Sequence, residues 1–357
     1  MLFVKGLFML KKLFLITMFL LGILLSGCNL KADDNVKKEV IVDGVGRKIE
    51  LQLPIKSAVV ANSHNTELIN SIGNAIDKVI GVDSGIYNDK VAYGNRFKEE
   101  NLIGQNQRAL NYEKIVSLNP DVLIISGNGY WQEAVEQLEP FGIQVIVLNA
   151  YYSGEFRKNC ELIGKLFGYE KEADEFVSYF EGKIDYIKKQ LKDAPKRTLY
   201  FEYRSENTTV TPGRPYYKMV EYSGAKNIFD DADNPTIDGE AVIFRDPQYI
   251  VKASESYERG QYTPPDEKEF LLRKSRITER PGWDNIKAVK DDKILLLSHY
   301  AFGGACELVG TCYIAKFLYP EYLPDLHPEE VFKEWVTKYQ HLPYIEGHTY
   351  PRFSLTD

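Results

Sequence analysis

The chain has 357 residues, more than one hydrophobic core usually serves, so two lobes or domains are expected. Hydrophobic residues at 44% and charged residues at 27% are ordinary for a soluble globular protein. The formal charge of −7 argues against a nucleic-acid partner.

The first residues differ from the rest. Lys5, Lys11 and Lys12 precede an apolar run, 13–25, and then Ser26, Gly27 and Cys28. A basic start, a short apolar segment and small residues describe a secretory signal, and the run is short for a membrane span. Residues 25–28, Leu-Ser-Gly-Cys, resemble a bacterial lipobox, which implies cleavage before Cys28 and lipidation of its thiol. Met1 and Met9 both fit as the start, because Lys11 and Lys12 alone give Met9 a basic opening. Residues 1–27 are thus read as a signal peptide and 28–39 as a polar, lipid-anchored tether.

Residues 40–53 alternate in polarity and turn at Asp43-Gly44, a hairpin signal. Then come a buried strand at 57–61, a helix at 65–72 ending at Gly73, and a strand at 79–82. A short helix at 112–118 leads through Asn119-Pro120-Asp121 into the apolar strand 122–125. A helix at 131–138 and a strand at 144–148 follow. Apolar strands alternating with helices indicate a parallel sheet covered on both faces, and 40–152 is read as a first lobe.

Residues 153–195 are helical. In the stretch 170–193, Phe176, Phe180, Ile184, Ile187 and Leu191 are spaced four, four, three and four apart, one apolar stripe on a helix. Such a helix is about 36 Å long, enough to act as a strut between two lobes. Gly168 precedes it and Pro195 stops it.

The element order then repeats in 196–357, read as the second lobe. It gives a strand at 198–201, a helix at 216–222, a strand at 249–251, a helix at 283–289 and a strand at 293–298. Residues 254–278 are charged, contain Pro264-Pro265 and read as an insertion with a helical second half. Helices at 303–319 and 329–339 close the chain. The fold class is therefore α/β, with two Rossmann-like lobes and one long joining helix. With Cys28 lipidated, Cys160, Cys306 and Cys312 are an odd remainder, expected as buried free thiols.

This order of elements resembles the substrate-binding lipoproteins of ABC importers for iron-siderophores, haem and cobalamin. The resemblance covers nearly all of 40–340. It is carried by SAVVANSHNTELINSIGNAIDKVIG at 57–81, the strand entry at Asn119-Pro120-Asp121-Val122, RPGWDNIKAVKDDKILLL at 280–297, and AKFLYPE at 315–321. It implies a ligand cleft between the lobes, in a monomeric binding protein with no cofactor of its own, held outside the cytoplasm on the membrane through Cys28. The partners it implies are a permease and its ATPase. It also implies one acidic residue on each lobe facing permease arginines; Glu133, with Gln132 as the one-residue alternative, and Glu240 match by position.

Ligands in open α/β sheets sit beyond the carboxyl ends of the strands. That rule selects His64, Trp131, Tyr151 and Tyr152 from the first lobe. From the second it selects Tyr203, Arg204, Tyr216, Tyr217, Arg245, His299 and Tyr300. Aromatic faces suit a bulky chelate and arginine suits an anionic one. The expected ligand is a metal chelate of iron-siderophore, haem or corrinoid type. The alternative is nickel or another divalent metal held by His64 and His299, one from each lobe. An isolated histidine is more often a structural residue, so both readings stand for each. A surface adhesin is a further reading, which the strut and paired lobes do not require. No enzyme is expected: Gly-x-Ser-x-Gly, a spaced Cys-His pair and a carboxylate pair with an evident role are all missing.

Overall fold

The computed structural model describes residues 37–254, 262–302 and 307–355. The signal peptide, Cys28, nearly all of the tether, Cys306 and residues 255–261 of the insertion lie outside the described residues. Strands β1 (Lys37–Val42) and β2 (Lys48–Leu53) form the expected hairpin. Its turn is held by the Asp43 carboxylate, which accepts from the Val45 and Arg47 amides at 3.1 and 2.9 Å and pairs with the Arg47 guanidinium at 2.8 Å. Alternation along β2 buries Ile49, Leu51 and Leu53.

The first lobe continues with β3 (Ala58–Ala61), α1 (Ser63–Asn70) and β4 (Val79–Val82). A small antiparallel pair, β5 (Gly104–Asn106) and β6 (Ala109–Leu110), was not anticipated. Then come α2 (Tyr112–Leu118), β7 (Val122–Ile125), α3 (Trp131–Leu138) and β8 (Gln144–Val147). The sheet order is β4-β3-β7-β8, all parallel. β3 and β7 are buried at every residue, which is why they are unbroken apolar runs rather than alternating ones.

Helix α4 (Phe156–Phe167) ends at Gly168, whose φ of 79° lies where a side chain would be strained. The strut follows as α5 (Glu170–Gln190), three residues shorter than the stretch read from the sequence. Leu191 caps it and still packs in the core. Its stripe, Phe176, Val177, Phe180, Ile184 and Ile187, is buried. Phe180 stacks on Phe156 at 4.0 Å, and Phe176 stacks on Trp335 from the closing helices at 6.0 Å.

The second lobe holds β9 (Thr198–Glu202), α6 (Tyr217–Tyr222), β10 (Lys226–Asn227), α7 (Gly239–Arg245) and β11 (Tyr249–Ala253). It goes on through α8 (Glu267–Thr278), β12 (Ile294–Leu297), α9 (Glu307–Leu318), α10 (Pro328–Glu334) and β13 (Thr349–Tyr350). The order is β10-β9-β11-β12-β13, parallel except for β13. α5 packs on α4 of the first lobe and on α6 and α9 of the second, so it joins them physically.

Two helices differ from expectation. The run 283–289 is a 3-10 turn, Trp283–Asn285, followed by a separate helix, Lys287–Lys290. Ile286 is extended, and the Asp246 carboxylate takes the Lys287 amide at 2.6 Å, which starts the second helix afresh. The run 329–339 changes from α10 to a π-helix at Trp335–Tyr339. Cys160 and Cys312 are buried and in no disulfide among the described residues, and burial pushes the Cys312 thiol up to about 12.

Candidate ligand and metal site

The site begins at the start of α1. Asn62 is held at φ 121° by its amide, which donates to Asp83 at 2.9 Å. Its side-chain oxygen then accepts from the His64 and Asn65 amides at 3.0 and 3.3 Å, fixing the first helical turn. That places His64 in the first turn and Glu67 three residues on, on the same face. His299 enters from the other lobe, just beyond β12. The ligating atoms of His64, Glu67 and His299 lie within 4.8 Å of one another, and all three residues are buried.

His299 Nε2 stands 3.1 Å from Glu67 Oε1, and His64 Nδ1 stands 4.0 Å from Glu67 Oε2. The imidazoles stack at 5.3 Å. Burial pushes the Glu67 carboxyl upward, but the charge and hydrogen bond of His299, with His64 close by, overcome it and hold Glu67 at about 2. Burial lowers His64 below its usual 6.5, more than Glu67 raises it. His64 Nε2 meets the Tyr216 hydroxyl at 3.3 Å. Its buried Nδ1 has no hydrogen-bond partner among the described residues.

Two imidazoles beside an ionised carboxylate offer the nitrogen and oxygen donors that borderline transition metals take once the rings give up their protons. Bonds of about 2.0–2.2 Å set neighbouring donors roughly 3–3.5 Å apart. The observed 3.1 Å falls in that range and the 4.0 Å lies just beyond it. An orphaned nitrogen beside an ionised carboxylate is where a cation would close the gap.

His64 forms part of the wall of a cavity of about 430 Å³ between the lobes. Of the other expected residues, Tyr151, Tyr203, Arg204 and Tyr216 line the same cavity. Tyr216 has φ 64°, an uncommon conformation for a bulky residue, and packs on Tyr203 at 5.2 Å. Tyr152 lies one layer back, on Tyr151 at 4.9 Å. Tyr300 is buried against His299 at 5.6 Å.

Three further expected residues lie away from both the cavity and the cluster. Trp131 lies under the Arg47 guanidinium at 4.9 Å. Tyr217 donates to Asp230 at 3.2 Å, on the outer side of α6. Arg245 pairs with Asp231 at 2.5 Å and covers the Phe229 ring, so its charge is engaged away from the cleft. Glu133 and Glu240 are exposed in the first turns of α3 and α7.

Glu67, Gln107, Asn128 and Arg214 were not selected from the sequence. For Glu67 a signal existed: His-x-x-Glu at a strand-to-helix junction puts both side chains on one face. Gln107, Asn128 and Arg214 sit in loops whose path no periodicity gives.

Known proteins resemble this chain in sequence and fold. A substrate-binding lipoprotein of an ABC transporter from Bacillus subtilis, YvrC, is 25% identical over 295 residues, spanning 78% of this chain and 86% of that protein. The molybdate-binding protein MolA of Haemophilus influenzae is 24% identical over 365 residues, spanning 91% of this chain and 96% of that one. The crystal structure of the TroA-like periplasmic binding protein FepB from Veillonella parvula superposes with a TM-score of 0.70 at 22% identity, covering 88% of this chain and 99% of that one. The family model for periplasmic binding proteins matches residues 59–301, and this chain belongs to that family.

Proposed function

We propose that this protein is a lipid-anchored extracytoplasmic receptor that captures a transition-metal complex between its lobes and delivers it to an ABC permease and its ATPase. The observation that carries this reading is the meeting of His64 from one lobe and His299 from the other at the ionised Glu67. The cluster favours a divalent metal such as nickel, ligated directly, over a chelate held by stacking alone. The cavity beside it gives room for a small chelator. Tyr151, Tyr203 and Tyr216 supply apolar faces, and Arg204 and Arg214 supply positive charge. The role is binding and delivery, with no turnover.

The same two arginines favour a second reading, an oxyanion held without a metal. An ionised carboxylate against the cavity wall counts against it, because it repels an anion in a place of weak screening. Calorimetric titration with nickel(II) and, separately, with molybdate decides between them. Saturable nickel binding, reduced at least tenfold in His64→Ala, is expected. Molybdate binding with no response to nickel would overturn the metal reading.

A further inference from the structure

A second concavity of about 380 Å³ lies in the other lobe, between the ends of β9 and β11 and the insertion helix α8. Five cations border it: Arg204, Lys252, Arg273, Arg276 and Arg280. Three of them belong to α8 or its exit, at positions 273, 276 and 280. The spacing of three and four brings them to one side of that helix. In a chain of formal charge −7, this concentration of positive charge runs against the background.

Among the described residues three acids stand near it, Glu202, Glu206 and Glu269, against the five cations, and Arg280 also comes within 4.0 Å of Glu206. The buried Glu202 is already shared: Arg280 Nη2 donates to it at 2.9 Å, Lys252 approaches at 3.9 Å, and the Asn207 amide bonds it at 3.0 Å. Glu269 turns one oxygen back to the Asp266 amide at 2.9 Å in a capping box. Lys252 is about nine-tenths buried and donates to the Tyr203 and Arg204 carbonyls at 2.6 and 2.8 Å. Its charge is thereby fixed at the floor of the concavity. Arg280 lies flat over Trp283 at 4.4 Å, and its buried Nη1 has no hydrogen-bond partner among the described residues. The Arg276 guanidinium is in no ion pair among the described residues.

A buried guanidinium donor left unsatisfied costs stability unless something accepts from it. A planar fork beside further cations matches a carboxylate or phosphate. We infer that this concavity is a second binding site, for a small multivalent oxyanion. Arg204 borders both this concavity and the inter-lobe cavity, so the two adjoin. The oxyanion is therefore either a free anion or an anionic arm of the ligand in the cleft.

The test is calorimetric titration of the full chain with citrate and with inorganic phosphate, each with and without nickel(II). Wild type is expected to bind at least one anion saturably in the millimolar range or tighter. Arg276→Ala is expected to weaken that binding about tenfold while leaving nickel affinity unchanged. Arg280→Gln, which also releases Glu202, should weaken it further; Arg276→Ala keeps the test valid if that variant unfolds. Anion binding without nickel identifies a free-anion site, and binding only with nickel identifies an arm of the cleft ligand. No saturable binding of either anion up to about 10 mM, or equal binding by Arg276→Ala, overturns the proposal. The metal reading stands or falls separately, on nickel and His64→Ala.

Discussion

Replacing Glu67 by glutamine isolates the charge at the centre of the cluster. Glutamine keeps the shape and can still accept from His299, so what is lost is the ionised carboxylate. That carboxyl is held at about 2, against an ordinary 4.5, in spite of its burial. A depression of that size is worth about 3 kcal/mol at neutral pH. Breaking a buried charge pair costs roughly 3–5 kcal/mol, which agrees. The folded-state value is the depressed one. The contribution is therefore fully present above about pH 4.5 and is lost as the pH falls towards 2. Urea denaturation of metal-free wild type and Glu67→Gln at matched pH measures it. Wild type should be more stable by about 3 kcal/mol at pH 7, and the gap should narrow below pH 4.5. Metal must be absent, because a ligand bound only by the folded state adds its own stabilisation. A gap under about 1 kcal/mol at pH 7, or one that stays constant down to pH 3, would refute the claim that His299 and His64 hold this carboxylate ionised.

His64→Ala and His299→Ala should each weaken nickel binding, and the double variant should lose less than the sum, because both act on one ion; additive losses would separate them. Burial lowers His64 below its usual 6.5. The advantage of wild type over His64→Ala should thus persist to a lower pH than an ordinary imidazole would allow and then shrink, which calorimetry at several pH values checks. Glu133→Ala combined with Glu240→Ala should leave nickel affinity unchanged and abolish uptake by whole cells; normal uptake would remove both from the permease contact. Phe176→Ala should lower the unfolding free energy by about 3–5 kcal/mol, since the ring is fully buried between Phe156, Trp335 and Tyr339. A loss under 1 kcal/mol in urea would show that the strut carries little of the core.

The strands and the strut were legible because burial on both faces and a four-four-three stripe leave strong patterns. The histidine pair was legible because strand ends in α/β sheets point at the cleft. Glu67 was passed over, since a carboxylate in the first turns of a helix usually faces water. Arg245 was misplaced for a related reason. It lies near a strand entry, yet the nearby Asp231 and the Phe229 ring draw it outward. Arg214 follows Gly213, whose φ of 75° turns the chain, and nothing in the residue pattern shows which way such a turn sends its neighbour. Side chains on regular elements are placed by period, whereas those in turns are placed by partners met only after folding.

Several of the bonds that cross between the lobes meet on α1. Glu67 pairs with His299 through its side chain, and its carbonyl accepts from Gln340 Nε2 at 2.9 Å. Asn70 donates to the Gln340 carbonyl at 3.0 Å, and Tyr216 holds His64. All these partners come from the second lobe or the closing helices. The strut, with its phenylalanines stacked into both lobes, has no Pro or inserted side chain at which to kink. On the metal reading, an ion at His64 Nδ1 would replace the 4.0 Å gap to Glu67 with bonds to both sides. The Glu67–His299 pair that joins the lobes without metal would then also hold it, so binding and closure would draw partly on the same contacts. A cavity assembled from two lobes in this way discriminates by fit at closure: a complex too large for His64 and His299 to meet around Glu67 forfeits the inter-lobe bonds as well as its own.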